Sequence, residues 1–276
     1  MSSKTKVAVV TLAKNENHYI REWIEYHKSI GVDKFYIGDN NEVGDDSLTK
    51  VLEDYIKDEI VNVIDIRGQI RPQRRFLSLT ISNISEGYDW VGVFDIDEFV
   101  RLNGFDNIGN FLSQEKFSNI GQVGLYWKYY TDNGLIDVVD GNYSITRFTE
   151  ESDIIINRGK AFIHTNRRKF YGNVEPHGVY NMTMVNYNGD KLKLVIANYY
   201  GKEPVFDVAW IDHYRTKTCG EFIRNKYFRG SVNSKDDNRT SIDFFFKFNK
   251  RTKEKENYMK KLIEELTLKE IKNSEN

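Results

Sequence analysis

Phe94-Asp95-Ile96-Asp97-Glu98-Phe99 follows directly on the apolar run Trp90-Val91-Gly92-Val93. A short continuous apolar run with β-branched residues reads as a buried strand. Three carboxylates at its end raise one another's pKa, a costly arrangement without a cation. If the strand continues, alternation puts Asp95 and Asp97 on one side; if it turns, all three carboxylates converge. Hard divalent cations take such oxygen ligands, Mg²⁺ in particular with one or two carboxylates plus substrate phosphates. A solvated acidic turn is the other reading of a bare Asp-x-Asp.

N-terminal to this junction, apolar strands alternate with helical periodicity. Val7-Ala8-Val9-Val10 reads as a first strand, and Ile20, Trp23, Ile24, His27 and Ile30 recur at helical spacing until Gly31. Lys34–Gly38 and Val61–Ile64 read as further strands, with helices expected around Leu48–Tyr55 and from Gln73 to about Ser85. Such alternation predicts right-handed crossovers and a mostly parallel sheet. The polar endings after Val10, Ile37 and Phe94 then share the carboxyl edge, where open α/β sheets bind ligands. C-terminal to about Gln122 the periodicity fades. Residues 123–215 read as shorter, partly antiparallel strands, Glu221–Arg229 as a helix, and 254–272 as a final amphipathic helix.

Composition bounds the function. Forty Lys and Arg against 41 Asp and Glu leave a net charge of −1, which gives no global field for nucleic acid or membrane. Aromatic residues at 14% and only 3 prolines exclude a disordered or low-complexity chain. Cys219, the one cysteine, has no disulfide partner. No apolar run is long enough for a signal peptide or a membrane span, so a cytoplasmic protein is expected. Residues 247–272 carry a local charge of +4. A basic amphipathic helix there either packs on its own domain, the favoured reading, or lies on the inner face of a membrane.

Three blocks in order resemble glycosyltransferases of the GT-A fold, particularly family 92 and related family 2-like proteins. The first is Lys14-Asn15-Glu16-Asn17-His18 through Tyr26-His27, then Gly31 and Asp39-Asn40-Asn41. The second is the Phe94–Phe99 stretch. The third is Asp212-His213-Tyr214-Arg215-Thr216-Lys217, then Glu221-Phe222, Lys226 and Arg229-Gly230. Weaker echoes are Trp127, Gly134, Arg147-Phe148, Lys160 and His177-Gly178. Tyr129–Gly134 departs from the family's loop on the acceptor side, so acceptor identity does not transfer. Haloacid-dehalogenase-like phosphatases also place Asp-x-Asp after a strand, but they carry it near the N-terminus and continue into Gly-Thr, unlike Glu98-Phe99.

The resemblance implies an α/β, GT-A-like, mostly parallel central sheet flanked by helices. A smaller mixed-sheet acceptor half and a C-terminal helix complete it. Residues 1–250 form one catalytic domain, with 1–122 the nucleotide-binding half and 123–231 the acceptor half; 251–276 form a helical tail. It also implies inverting transfer of a sugar, galactose as the narrower guess, from a UDP-sugar to a glycan or lipid-linked saccharide. A non-catalytic nucleotide- or sugar-binding module is the alternative. Asp95, Asp97 and His213 would form the Mn²⁺ or Mg²⁺ site, with Asp97 the chelating carboxylate and Asp95 reaching the ribose or a metal-bound water, and Glu98 would support the site. Imidazole suits Mn²⁺ better than Mg²⁺. Thr11, Glu16 and Asp39, taken to lie just beyond the first strand ends, would meet the nucleoside. Asp39 could equally close an Asx turn. Lys226 and Arg229, with Gln73 and Arg75 as lesser candidates, would face the diphosphate. An inverting reaction needs a carboxylate base, for which Glu175 and Asp132 are the candidates.

Overall fold

The computed structural model describes residues 4–138, 144–167, 174–228 and 240–274. Arg229 lies outside the described residues. Compact packing divides the chain into two units, Met1–Lys128 with Ile155–His213, and Tyr129–Ile154 with Tyr214–Asn276.

The first unit begins with β1 (Val7–Ala13), α1 (Ile20–Ser29), β2 (Lys34–Asp39), α2 (Leu48–Val51), α3 (Glu53–Lys57), β3 (Val61–Asp65), α4 (Gln73–Ile84) and β4 (Trp90–Val93). β4, β1, β2 and β3 lie side by side and parallel, the order that crossover helices impose. Register pairs Ala13 with Asp39, and Asp39 with Asp65, so the strand ends form one row. Val10 pairs with Val93, which brings the acidic stretch out of β4 at the same edge.

The chain turns there, with Glu98 N–H donating to the Asp95 carbonyl at 3.1 Å, and β5 (Glu98–Leu102) starts at once. After α5 (Ile108–Leu112) come β6 (Gln122–Tyr129) and, beyond α6 (Ser144–Arg147), β7 (Gly159–His164). A two-stranded pair follows, β8 (Val174–Glu175) with β9 (Gly178–Val179). Then come β10 (Met184–Val185), β11 (Lys191–Val195), β12 (Asn198–Tyr200) and β13 (Ala209–His213). The mixed strands of the second half continue the central sheet, whose order is β12-β11-β10-β6-β7-β4-β1-β2-β3. β13 pairs with both β5 and β6.

Two close approaches hold the site strands in place. Gly159 packs so tightly that a Cβ there would lie 1.7 Å from the Leu125 carbonyl oxygen, which fixes β7 against β6. α1 grips β5 by its backbone: Trp23 Nε1 donates to Glu98 O at 2.9 Å, and Tyr26 Oη to Val100 O at 2.8 Å. His27 Nδ1 meets Trp23 O at 2.9 Å while Val100 N–H donates to its Nε2. His27, which carries no chemical role in the sequence reading, is thus a buried neutral clamp, with its pKa pushed down to about 4 by burial.

The second unit contains α6, α7 (Cys219–Phe222), α8 (Ile242–Phe248) and α9 (Lys253–Ser274). The helix expected over Glu221–Arg229 is present and runs from Cys219 to Tyr227, changing from α to π geometry after Phe222. Thr218 and Glu221 cap α7 reciprocally, and a π-helix over Ile223–Tyr227 continues it. Met259 of α9 is fully buried with Cys219, Phe222, Ile223 and Phe245, and Leu262, Ile263 and Leu266 pack against that cluster. This packing occupies the apolar face that a peripheral membrane contact would need. Among the described residues no helix is long and apolar enough to cross a membrane.

Candidate metal and nucleotide site

The turn after β4 and the antiparallel pairing of β13 with β5 assemble one cluster. Register sets His213 opposite Glu98. His213 Nε2 lies 3.5 Å from Asp97 Oδ1, and His213 Nδ1 lies 4.0 Å from Glu98 Oε1. Asp97, Glu98 and His213 each offer a ligand atom within 4.8 Å of the others. The Trp127 ring lies 4.7 Å from the His213 ring and 5.2 Å from the His177 ring.

Asp95, expected among the metal ligands, does not join this set. Its Oδ2 accepts from Lys160 Nζ at 2.8 Å, and the same ammonium lies 3.5 Å from Glu98 Oε2. Glu98 takes the place expected for Asp95, its Oε2 also accepting from the Asp95 backbone N–H at 2.9 Å. Desolvation pushes the Asp95 carboxyl up, but the charge and hydrogen bond of Lys160 together with the His213 charge outweigh it and leave Asp95 below its ordinary value. Burial dominates at Glu98 and holds it well above the usual carboxylate range.

A divalent cation fits these residues. Glu98 Oε1 is buried and accepts no hydrogen bond, a state that buried polar atoms seldom keep without a partner. Two carboxylates and an imidazole form a donor set suited to Mn²⁺ and acceptable to Mg²⁺.

The remaining candidates are scattered. β1 runs two residues past Thr11, which is buried inside the sheet rather than beyond its end. Asp39 ends β2 with its carboxylate taken: Oδ1 accepts from Asn41 N–H at 3.1 Å, Oδ2 from Leu48 N–H at 2.9 Å and Ser47 Oγ at 3.2 Å. It is the Asx-turn anchor of the loop, one of the two roles expected for it. Glu16 sits at the entry to α1, its carbonyl accepting from the N–H groups of Tyr19 and Ile20. Asn41 Oδ1 accepts from Asn15 N–H at 2.7 Å and its Nδ2 donates to Asn17 Oδ1 at 3.0 Å, joining the loops after β1 and β2. Gln73 opens α4 and Arg75 is exposed on it.

Neither expected base is a free carboxylate. Glu175 is paired with Arg74 at 2.8 Å. Asp132, in the second unit, is buried and held by Lys255 at 2.6 Å and by Gly134 N–H at 2.9 Å. Lys226 lies half-buried on the π-helix of the second unit.

Lys160, His177 and Asn41 carry more of the site than the sequence reading assigned to them. A lysine inside Gly159-Lys160-Ala161-Phe162-Ile163 breaks an otherwise apolar strand, and that break was the available signal for the first.

An α/β sheet with a carboxylate–imidazole cluster on its carboxyl edge has the layout of a ligand-binding α/β protein. The family model for glycosyltransferase family 92 matches residues 5–243, and the chain belongs to that family. It is 35% identical over 97 residues to glycosyltransferase family 92 protein At1g27200 of Arabidopsis thaliana. That match covers 35% of this chain and 16% of the plant protein. Similarity to uncharacterized protein R658 of Acanthamoeba polyphaga mimivirus is 24% over 257 residues, 85% of this chain and 45% of the viral one. The chain thus matches less than half the length of these relatives. Among solved structures, S. aureus TarS 1–349 superposes with a TM-score of 0.46 and 11% identity, covering 80% of this chain and 63% of that one. Family membership replaces the phosphatase alternative.

Proposed function

We propose that the chain is a metal-dependent glycosyltransferase that moves a sugar from a UDP-sugar, with galactose the narrower reading, to a glycan or lipid-linked saccharide with inversion. The observation that carries this reading is the convergence of Asp97, Glu98 and His213 at the carboxyl edge of the sheet. These three residues would hold Mn²⁺ or Mg²⁺. When bound, such an ion neutralises the charge of a diphosphate leaving group.

The chain's own residues prepare the rest. β5, gripped by Trp23 and Tyr26, fixes Glu98; β13 delivers His213 to it. Lys160 orients Asp95, whose side chain stays 46% exposed at the edge of the cluster. Trp127 packs against the His213 ring at a tilt of 58°.

The test is hydrolysis and transfer assays over a panel of nucleotide sugars with and without Mn²⁺. Mn²⁺-dependent turnover of one UDP-sugar is the expected result. Mn²⁺-dependent UDP binding without turnover of any sugar nucleotide would favour the non-catalytic module.

A further inference from the structure

Lys160 is 1% exposed, in a strand whose neighbours are apolar, and both carboxylates it reaches belong to the acidic turn. A buried ammonium is costly unless it is well paired, and an aliphatic residue would satisfy the strand pattern at this position. The charge is therefore the feature to explain. With Asp97 and Glu98 ionised, as ligation of a cation requires, and Asp95 ionised beside Lys160, the three carboxylates carry three negative charges, and Lys160 reduces them to two. That value is equal and opposite to the charge of one divalent cation.

We propose that Lys160 is a built-in counter-cation. It draws Asp95 away from the Asp97–Glu98–His213 set and trims the cluster's charge, so that the site matches a divalent ion and disfavours a trivalent one. The inference rests on reading those three residues as a metal site. It makes Lys160 a positioning residue with an electrostatic role, distinct from a packing role by the sign of its effect. Losing a structural support weakens metal binding; losing a counter-cation strengthens it.

The experiment titrates the full chain with Mn²⁺ by calorimetry and with Tb³⁺ by luminescence sensitised through Trp127, whose ring lies 4.7 Å from His213. It compares the natural protein with Lys160→Gln, which keeps a hydrogen-bond donor without the charge, and with Lys160→Gln/Asp95→Asn, which restores the original net charge. Lys160→Gln should bind Mn²⁺ about tenfold tighter, and Tb³⁺ should gain more than Mn²⁺ because its charge is larger. The double variant should return both affinities to within about threefold of the natural protein. Unchanged or weaker Mn²⁺ binding by a folded Lys160→Gln protein overturns the proposal, as does a double variant that behaves like the single one. A single variant that fails to fold beside a double variant that folds and binds supports the charge balance. If neither folds, Lys160 serves the core and the proposal fails. If the natural protein binds neither ion, the metal site itself is wrong; if it binds and Lys160→Gln is no tighter, only the role of Lys160 is lost.

Discussion

His213 Nε2 stands 3.5 Å from Asp97 Oδ1, although 116 positions of chain separate the two residues. The β13–β5 pairing produces this meeting, with Asp212 opposite Phe99 and His213 opposite Glu98. Backbone hydrogen bonds therefore fix the imidazole's place before any ligand arrives. His213→Ala should lower Mn²⁺ affinity by about tenfold or more, since one of three ligands is lost. The melting temperature should change little, because the residue lies at a strand end. Calorimetry and a thermal melt on the same sample read both quantities.

How much of this was legible follows from range along the chain. β1, α1, β2 and β4 were readable because Val7–Val10, Ile20–His27 and Trp90–Val93 carry their periodicity within a few residues. The partnership of Asp97 and His213 came from family resemblance; spacing alone does not show it. The swap of Glu98 for Asp95 depended on a tight turn and on Lys160, a residue 65 positions from Asp95. The lysine's break in an apolar strand marks Lys160 in the sequence, but the pattern does not say which carboxylate it meets. Strands of two residues, such as Val174–Glu175, are too short to show alternation. Asp132 looked like an available carboxylate because its partner Lys255 lies on a distant helix.

His27 should make the protein sensitive to acid. Its pKa is about 4 in the folded state against an ordinary 6.5, so between these values the unfolded chain binds the additional proton. Stability then falls as pH drops from 6.5 toward 4, by roughly 3 kcal/mol at full effect. Burial likewise holds His177 at about 4, with the same sign; the raised Glu98 acts in the opposite direction. Comparing melts of the natural protein and His27→Gln isolates one group. The variant should be less stable at pH 7 and lose less on acidification; parallel curves would refute the clamp.

Gly159→Ala should disturb the site from below. The new methyl would meet the Leu125 carbonyl oxygen at 1.7 Å, so β7 must move away from β6 and carry Lys160 with it. Overpacking of this kind typically costs about 1–3 kcal/mol. Chemical denaturation should show that loss, together with weaker Mn²⁺ binding.

In the second unit, Met259→Ala empties a fully buried position between α7 and α8 residues. A loss of about 2–5 kcal/mol is expected, visible as a lower melting temperature. Removing residues from 250 onward should destabilise further, because the Lys255–Asp132 pair also goes. An unchanged melting temperature with lost liposome binding would instead assign α9 to a membrane.

The most direct test of the metal-dependent transferase account is calorimetric titration of UDP into the natural protein and Asp97→Asn, each with and without Mn²⁺. The account predicts binding by the natural protein only when Mn²⁺ is present, and loss of that binding in a variant whose thermal melt is unchanged. Equal Mn²⁺-dependent affinity in the two proteins, or UDP binding that ignores Mn²⁺ altogether, would contradict it.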